Sequence, residues 1–444
     1  MNPPAPPLLA WPYQVPSATL HCLADAHVIH ALELGPPEWW QQWQLARLTA
    51  LRQWLEPLAW WQSWLNRATG PRAQSGITSG LPVMRRADFR TLVESHDAFT
   101  PPDHGALHSH HSSGSAGVPV SFWRSELANR ISANHYWADH KRQGRDLRLR
   151  LATLTGIPGP HEGPQLTVPG EPWLHPGDQW GRNAPQFSML EHARWVCQMA
   201  PDYLATTPAT LSSVLSLIKI KRLPAPRIQQ VLTSSHAVEP GLRERTRRVL
   251  GASIRDRYSC EELGPIAFQC PHSDDYYHVA VGNVVVEIVD DAGLPVPQGT
   301  AGNVLVTGLH QWASPAVRYD LGDIATGHDH CPGCGATVPA LSHLLGRKFF
   351  LLNKGTGDLR HVRILAEHWL ACAPVREHRV VQTGATAFRA ELVLDHPLTP
   401  ADSANILAML QRLIGAECSF ELAQLGAIPW PASAKRQEFV GLLP

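Results

Sequence analysis

The sequence predicts an α/β protein with a small α+β unit at its C-terminal end, and three observations carry that prediction. The stretch 145–255 alternates short strand-like and helix-like segments, the pattern of an α/β core. From 278 to 309 the character changes to β-rich runs (HVAVGNVVVEIV, NVLVTGL) separated by the turn DDAGLPVPQGTAG, which reads as hairpins. Residues 348–444 then carry their own strand and helix signals.

The elements follow in order. Residues 1–37 are rich in proline and read as irregular, a poor start for a packed element. Between Pro37 and Leu65 the composition is helical with a break at Pro57, and Leu45, Leu48, Leu51 and Leu55 recur at helical spacing, so they are expected on a buried face. The tryptophans here invite a membrane-interface reading, but few Lys or Arg flank them, so packing in a core is expected. Residues 79–97 read as a turn and a helix, VPVSFW as a strand, and 126–141 as a helix. The middle supplies LRLRLATLTG and RIQQVLTSS as strands, with SMLEHARWVCQM, PATLSSVLSLIK and GLRERTRRVLG as helices. Near the end, RVVQTG and FRAELVLD read as strands. Thr399 and Pro400 start a helix that runs to Leu413 and stops at Gly415.

Bulk properties exclude several classes. The 444 residues are 44% hydrophobic, and 38 Lys+Arg balance 38 Asp+Glu, which favours neither nucleic acid nor an anionic membrane as partner. No stretch approaches a spanning helix, and the first residues lack a leader pattern, so a cytoplasmic location is expected. Eight cysteines in so long a chain do not read as a disulfide framework.

Three stretches carry chemistry. In His111-Ser112-Ser113-Gly114-Ser115-Ala116-Gly117-Val118-Pro119, small hydroxylated residues between glycines let backbone N–H groups converge on phosphate oxygens; a flexible linker has the same composition. In Tyr258-Ser259-Cys260-Glu261-Glu262-Leu263-Gly264, a ring can stack on a base and a carboxylate can hold magnesium. An exposed acidic pair at a helix start would look alike. In Arg318-Tyr319-Asp320-Leu321-Gly322-Asp323, Asp323 can accept hydrogen bonds from ribose hydroxyls or be an ordinary turn aspartate. Cys331-Pro332-Gly333-Cys334 has the spacing of a zinc knuckle, or of a redox pair, and Cys270, His272 and His278 can supply the second half.

Taken in order, SSGSAGVP, YSCEELGPIAFQC, SPAVRYDLGD and CPGCG…LLGR resemble the acyl-adenylate-forming superfamily, nearest the phenylacetate–CoA ligase branch and its capsular-polysaccharide-type relatives, from about residue 80 to the C-terminus. The resemblance implies a large N-terminal adenylate-forming domain over 1–346 and a mobile α+β lid over 347–444. It implies that Ser112, Ser113, Gly114, Ser115 and Gly117 form the phosphate loop, that Ser235 and His236 line the adenine pocket, and that Tyr258 stacks on adenine. Glu262 then holds Mg2+, Asp323 binds ribose, Arg347 marks the domain junction, and Lys435 is the adenylation lysine. Ser259 and Glu261 flank these positions. The chain departs from the family pattern at His236, Glu261, Val118, Ala434 and Phe349-Phe350.

The same resemblance selects Cys270 and His278 to complete a structural Zn2+ site with Cys331 and Cys334, ahead of His272, His328 and His330. The cluster His108, His110 and His111 is expected to flank the phosphate loop. The implied reaction joins ATP and a carboxylic acid as acyl-AMP and then transfers the acyl group, most commonly to coenzyme A. An amine acceptor, adenylyl transfer to a hydroxyl and a non-catalytic nucleotide-binding relative are the alternatives. A homodimer is the family's usual assembly. Tyr136, Trp137 and the 169–187 loop suggest an aromatic or apolar lining for the acid.

Overall fold

The computed structural model describes residues 17–442 except 69, 74–75, 95–99, 113–119, 156–176, 184–186, 236, 239–240, 348–351, 354–358, 361, 363, 365, 395 and 430–437. The chain divides into two compact units, one of residues 1–149, 166–178 and 255–344, the other of 150–165, 179–254 and 345–444.

The first unit opens with helices α1 (Ser17–Leu34), α2 (Pro37–Leu55), α3 (Ala59–Arg67) and α4 (Arg86–Glu94). The hairpin β1 (Leu107–His111) and β2 (Ser121–Ser125) follows, then α5 (Glu126–Arg142). The second unit contributes β3 (Leu151–Thr155), β4 (Gln179–Asn183), α6 (Met189–Met199), β5 (Tyr203–Thr206), α7 (Pro208–Ile220), β6 (Gln230–Ser234) and α8 (Leu242–Leu250). The chain continues with β7 (Ser253–Cys260), β8 (Gly264–Gln269), β9 (Tyr277–Val279), β10 (Val284–Val289), β11 (Ala301–Gly308), β12 (Tyr319–His328) and β13 (Ala340–Arg347).

In the first unit β7 pairs antiparallel with β8, β8 with β9, β9 with β13, β10 with β11, and β11 with β12. The expected hairpins are therefore present. Their core gathers Leu48, Leu51 and Leu55 from α2, Phe89 from α4, Phe122 from β2 and the inward residues of the strands. Each such leucine removed from water contributes about 1.5–3 kcal/mol.

Two expectations need correction here. Residues 17–34, read as irregular, form α1, because the prolines of the first 16 residues stop short of an Ala- and Leu-rich run; Ala26, Ile29, Leu32 and Glu33 of that run are buried. Leu45 is 52% exposed, whereas Leu48, Leu51 and Leu55 are buried. The buried stripe includes Gln44 instead, whose amide donates to Val281 O and Val284 O. Trp61 and Trp64 are buried and Trp43 donates to Gly282 O at 3.1 Å, as expected, whereas Trp39 is 52% exposed. Among the described residues no helix is long and apolar enough to cross a membrane.

In the second unit β4, β3, β5 and β6 form parallel pairs, and their apolar faces are covered by α6, α7 and α8. Ser188 caps α6 in a capping box with Glu191, an arrangement worth about 1 kcal/mol.

A separate core lies in the C-terminal part of this unit. It is built on β16 (Val375–Gln382), β17 (Ala387–Leu394), β18 (Ser419–Gln424) and β19 (Phe439–Val440), after short β14 (Leu352–Asn353) and β15 (Leu359–Arg360). Helices α9 (Ala366–Cys372) and α10 (Pro400–Ile414) cover it. Thr399 caps α10 with Asp402, and Pro400 begins it, as the sequence predicts.

Candidate active site

The segment Arg318–Asp323 is the anchor of the site. Arg318 is fully buried and bonds to Glu287, to Pro71 O and Leu81 O, and to Gly293 O. That satisfaction holds its backbone in the left-handed region, at φ 43°. Two residues further on, the Asp320 carboxylate accepts from Gly322 N at 2.8 Å, and Gly322 takes φ 72°. This local turn, which suits glycine, turns Asp323 inward, where it is 7% exposed.

Tyr258 lies on β7, and its hydroxyl donates to Asp323 Oδ2 at 2.6 Å. The expected adenine-side ring and ribose-side carboxylate are thus direct neighbours. Glu262 sits in the turn between β7 and β8 and is buried, so the alternative of an exposed acid at a helix start does not hold. Arg86 Nη1 reaches Glu262 at 3.4 Å, and the Tyr319 hydroxyl lies 3.5 Å from the same oxygen. Both are long bonds that leave the carboxylate able to accept another partner.

Arg86 is the residue that sequence reading missed. It opens α4, and the preceding segment is stitched to β12 by Met84 N to Arg318 O at 3.0 Å and Asp320 N to Met84 O at 2.9 Å. Its Nη2 also donates to Ser112 Oγ at 2.8 Å, so one guanidinium links Glu262 to the start of the expected phosphate loop. Ser112 N donates to Val120 O, and Val120 N donates to Ser112 Oγ, which ties the two ends of that loop together. Ser113, Gly114, Ser115 and Gly117 lie outside the described residues, as do His236 and Lys435. His110 stacks on Phe122, and the His111 ring bonds to Ser121, so the histidine cluster lies on the hairpin beside the loop.

The remaining site residues differ in their surroundings. Ser259 is half-buried and hydrogen-bonds Tyr136 through its side chain, while Glu261 is exposed. Ser235 is exposed at the end of β6 with φ 82°, a strained value for a serine. Arg347 ends β13. Behind the site, Asp139 of α5 is buried. Burial would raise its pKa, but Arg145 at 2.8 Å, Arg257 at 3.3 Å and Arg142 hold it well below the usual carboxylate range. This fixes α5 against β7 next to Tyr258.

Cys270, His278, Cys331 and Cys334 come together, their four ligand atoms all within 4.8 Å of one another. Cys334 Sγ lies 3.3 Å from His278 Nε2. His272 contributes its backbone N–H to Cys270 Sγ at 3.4 Å, and His328 bonds to Ser342; neither belongs to the cluster. Three sulfurs and one imidazole nitrogen in this volume fit a closed tetrahedral centre. Gly333 is required here, since a Cβ would fall 2.6 Å from the Ser273 side chain.

No family model matches the chain. A phenylacetate–coenzyme A ligase of Thermus thermophilus is 26% identical over 153 residues, 33% of this chain and 34% of that enzyme. The chain therefore spans about a third of the length of that relative. Among solved structures, 2-hydroxyisobutyryl-CoA ligase in the postadenylation state with R3-HIB-AMP superposes with a TM-score of 0.65 at 19% identity, covering 93% of this chain and 91% of that one. The same ligase with 2-HIB-AMP and CoA in the thioesterification state gives 0.60 at 18% identity, with the same coverage. The chain shares its fold with 2-hydroxyisobutyryl-CoA ligase.

Proposed function

We propose that this chain activates a carboxylic acid with ATP as acyl-AMP, releases pyrophosphate, and transfers the acyl group to coenzyme A. The observation that carries the reading is the Tyr258–Asp323 pair beside the buried, incompletely satisfied Glu262, on a fold shared with a ligase held with an acyl-AMP.

Tyr258 offers its ring to adenine and Asp323 accepts from the ribose hydroxyls, exchanging its bond to the tyrosine for a bond to ligand. Glu262 shares a Mg2+ ion with the phosphates, and Ser112 opens the loop that cradles them. Arg86 holds both. As the acid carboxylate attacks the α-phosphorus in line, negative charge grows on the phosphate oxygens. Lys435, brought by a mobile lid of residues 347–444, supplies the cation that offsets it. The shared fold with a ligase crystallised with CoA in the thioesterification state supports thiol transfer over an amine or hydroxyl acceptor.

Cys270, His278, Cys331 and Cys334 hold a structural Zn2+ in the same proposal, with no open position for chemistry. Elemental analysis of the purified protein should find close to one zinc per chain. For the reaction, incubation with Mg-ATP, a panel of acids and coenzyme A, followed by mass spectrometry, should yield an acyl thioester. Acyl-AMP formed without thioester would move the acceptor to an amine or hydroxyl.

A further inference from the structure

Among the described residues Arg124 is a buried cation without a carboxylate partner. In the same unit Arg145 pairs with Asp139 at 2.8 Å and the fully buried Arg318 with Glu287 at 3.2 Å. Arg124 is 7% exposed, and among the described residues no carboxylate lies within ion-pair distance of it. Its Nη2 donates to Ser132 Oγ and, at 3.4 Å, to Ala128 O, while its Nε is buried with no acceptor. Glu261 attracts it only at longer range and is exposed. A desolvated guanidinium left this way is costly, because arginine stays charged.

Its position relates this cost to the reaction. Arg124 is the penultimate residue of β2, just before the chain enters α5, and Ser132 and Tyr136 follow at helical spacing on one stripe. The Tyr136 hydroxyl bonds to Ser259 on β7. At Gly264, after the Glu262 turn, a Cβ would lie 2.6 Å from Ser132 Oγ and 3.2 Å from Arg124 Nη2. The guanidinium therefore reaches the same turn that carries Glu262. A bulge between Tyr258 and Ser259 interrupts the β7–β8 ladder, between the Tyr258–Asp323 bond and the group of Ser259, Tyr136 and Arg124.

We infer that Arg124 is a specificity-determining residue that receives a second anionic group of the acid, so the substrate class is a short dicarboxylic acid. The inference rests on the adenylation reading and departs from the apolar lining that Tyr136 and Trp137 suggest. With one carboxylate at the nucleotide, the other accepts from Nε and an Nη in the paired geometry arginine favours.

Isothermal titration of the full chain with malonate, succinate and glutarate, each beside its length-matched monoacid, tests this directly. The wild type should bind the best diacid roughly 10- to 100-fold tighter than its monoacid. Arg124→Gln should bring that ratio close to one, while Arg124→Lys should keep part of it at an unchanged melting temperature. A purely structural role would weaken both acids equally. Equal binding of both acids by the wild type, or a diacid preference surviving in Arg124→Gln, overturns the inference. Pyrophosphate release measured alongside separates the two readings. Arg124-dependent diacid binding with no release from any acid rejects adenylation but leaves the receptor. Release driven best by neutral acids does the reverse.

Discussion

The two chemical centres of the first unit are built on opposite principles. The cysteine–histidine cluster is closed: its four ligand atoms face one another, and backbone N–H groups and a required glycine shape the turns around them. The Tyr258–Asp323 and Arg86–Glu262 groups are provisional, a set of hydrogen bonds, two of them long, that a bound nucleotide would replace. A centre that stabilises the fold satisfies all its members, whereas a centre that binds keeps partners it can exchange.

The largest effect expected from that contrast belongs to the closed centre. Cys331→Ser should abolish the proposed zinc binding and lower the melting temperature on the order of 10 °C, and a strong chelator should reproduce the loss in the wild type. Asp323→Asn should behave in the opposite way. Nucleotide affinity, measured by titration with ATP, should fall roughly 10- to 100-fold while zinc content stays unchanged. Arg86→Gln comes next, with a loss of about 3- to 10-fold in Mg-ATP affinity, since it positions Glu262 and Ser112 without replacing either. If Asp323→Asn proved as destabilising as Cys331→Ser, the distinction between the two centres would fail.

A smaller effect is read from pH. Burial, assisted by Arg142 and neighbouring histidines, lowers the pKa of His135 to about 3, and burial lowers that of His310 to about 4. The unfolded chain, with histidine near 6.5, then binds more protons than the native one between these values. The stability from burying the neutral rings is complete above about pH 6.5 and declines as pH falls toward 4. Each histidine contributes a slope of about 1.4 kcal/mol per pH unit. Denaturant titrations from pH 7 to 5 should show the decline, and His135→Gln should make it shallower.

Half of the closed centre was legible in its spacing, the CxxC of Cys331 and Cys334, whereas the family resemblance selected Cys270 and His278 over His272. The other centre was legible only as an ordered set of motifs, since a tyrosine and two acids name no chemistry until β7 and β12 bring Tyr258 to Asp323. The roles of Arg86, Arg124 and Arg318 could not be read at all. An arginine that is buried and bonded looks the same in sequence as one on the surface, and only long-range contacts such as Arg318 to Pro71 and Gly293 separate them. The missed helix α1 has a local cause, because the prolines of the first 16 residues dominate the composition of the whole segment.

The central claim is adenylation, and pyrophosphate exchange into ATP tests it most directly, with wild type and Lys435→Ala compared over a panel of mono- and dicarboxylic acids. Exchange should require an acid and Mg2+ and should fall roughly 100- to 1,000-fold in the variant. A variant exchanging as fast as wild type, or no acid-dependent exchange in a wild type that still binds ATP, would contradict it.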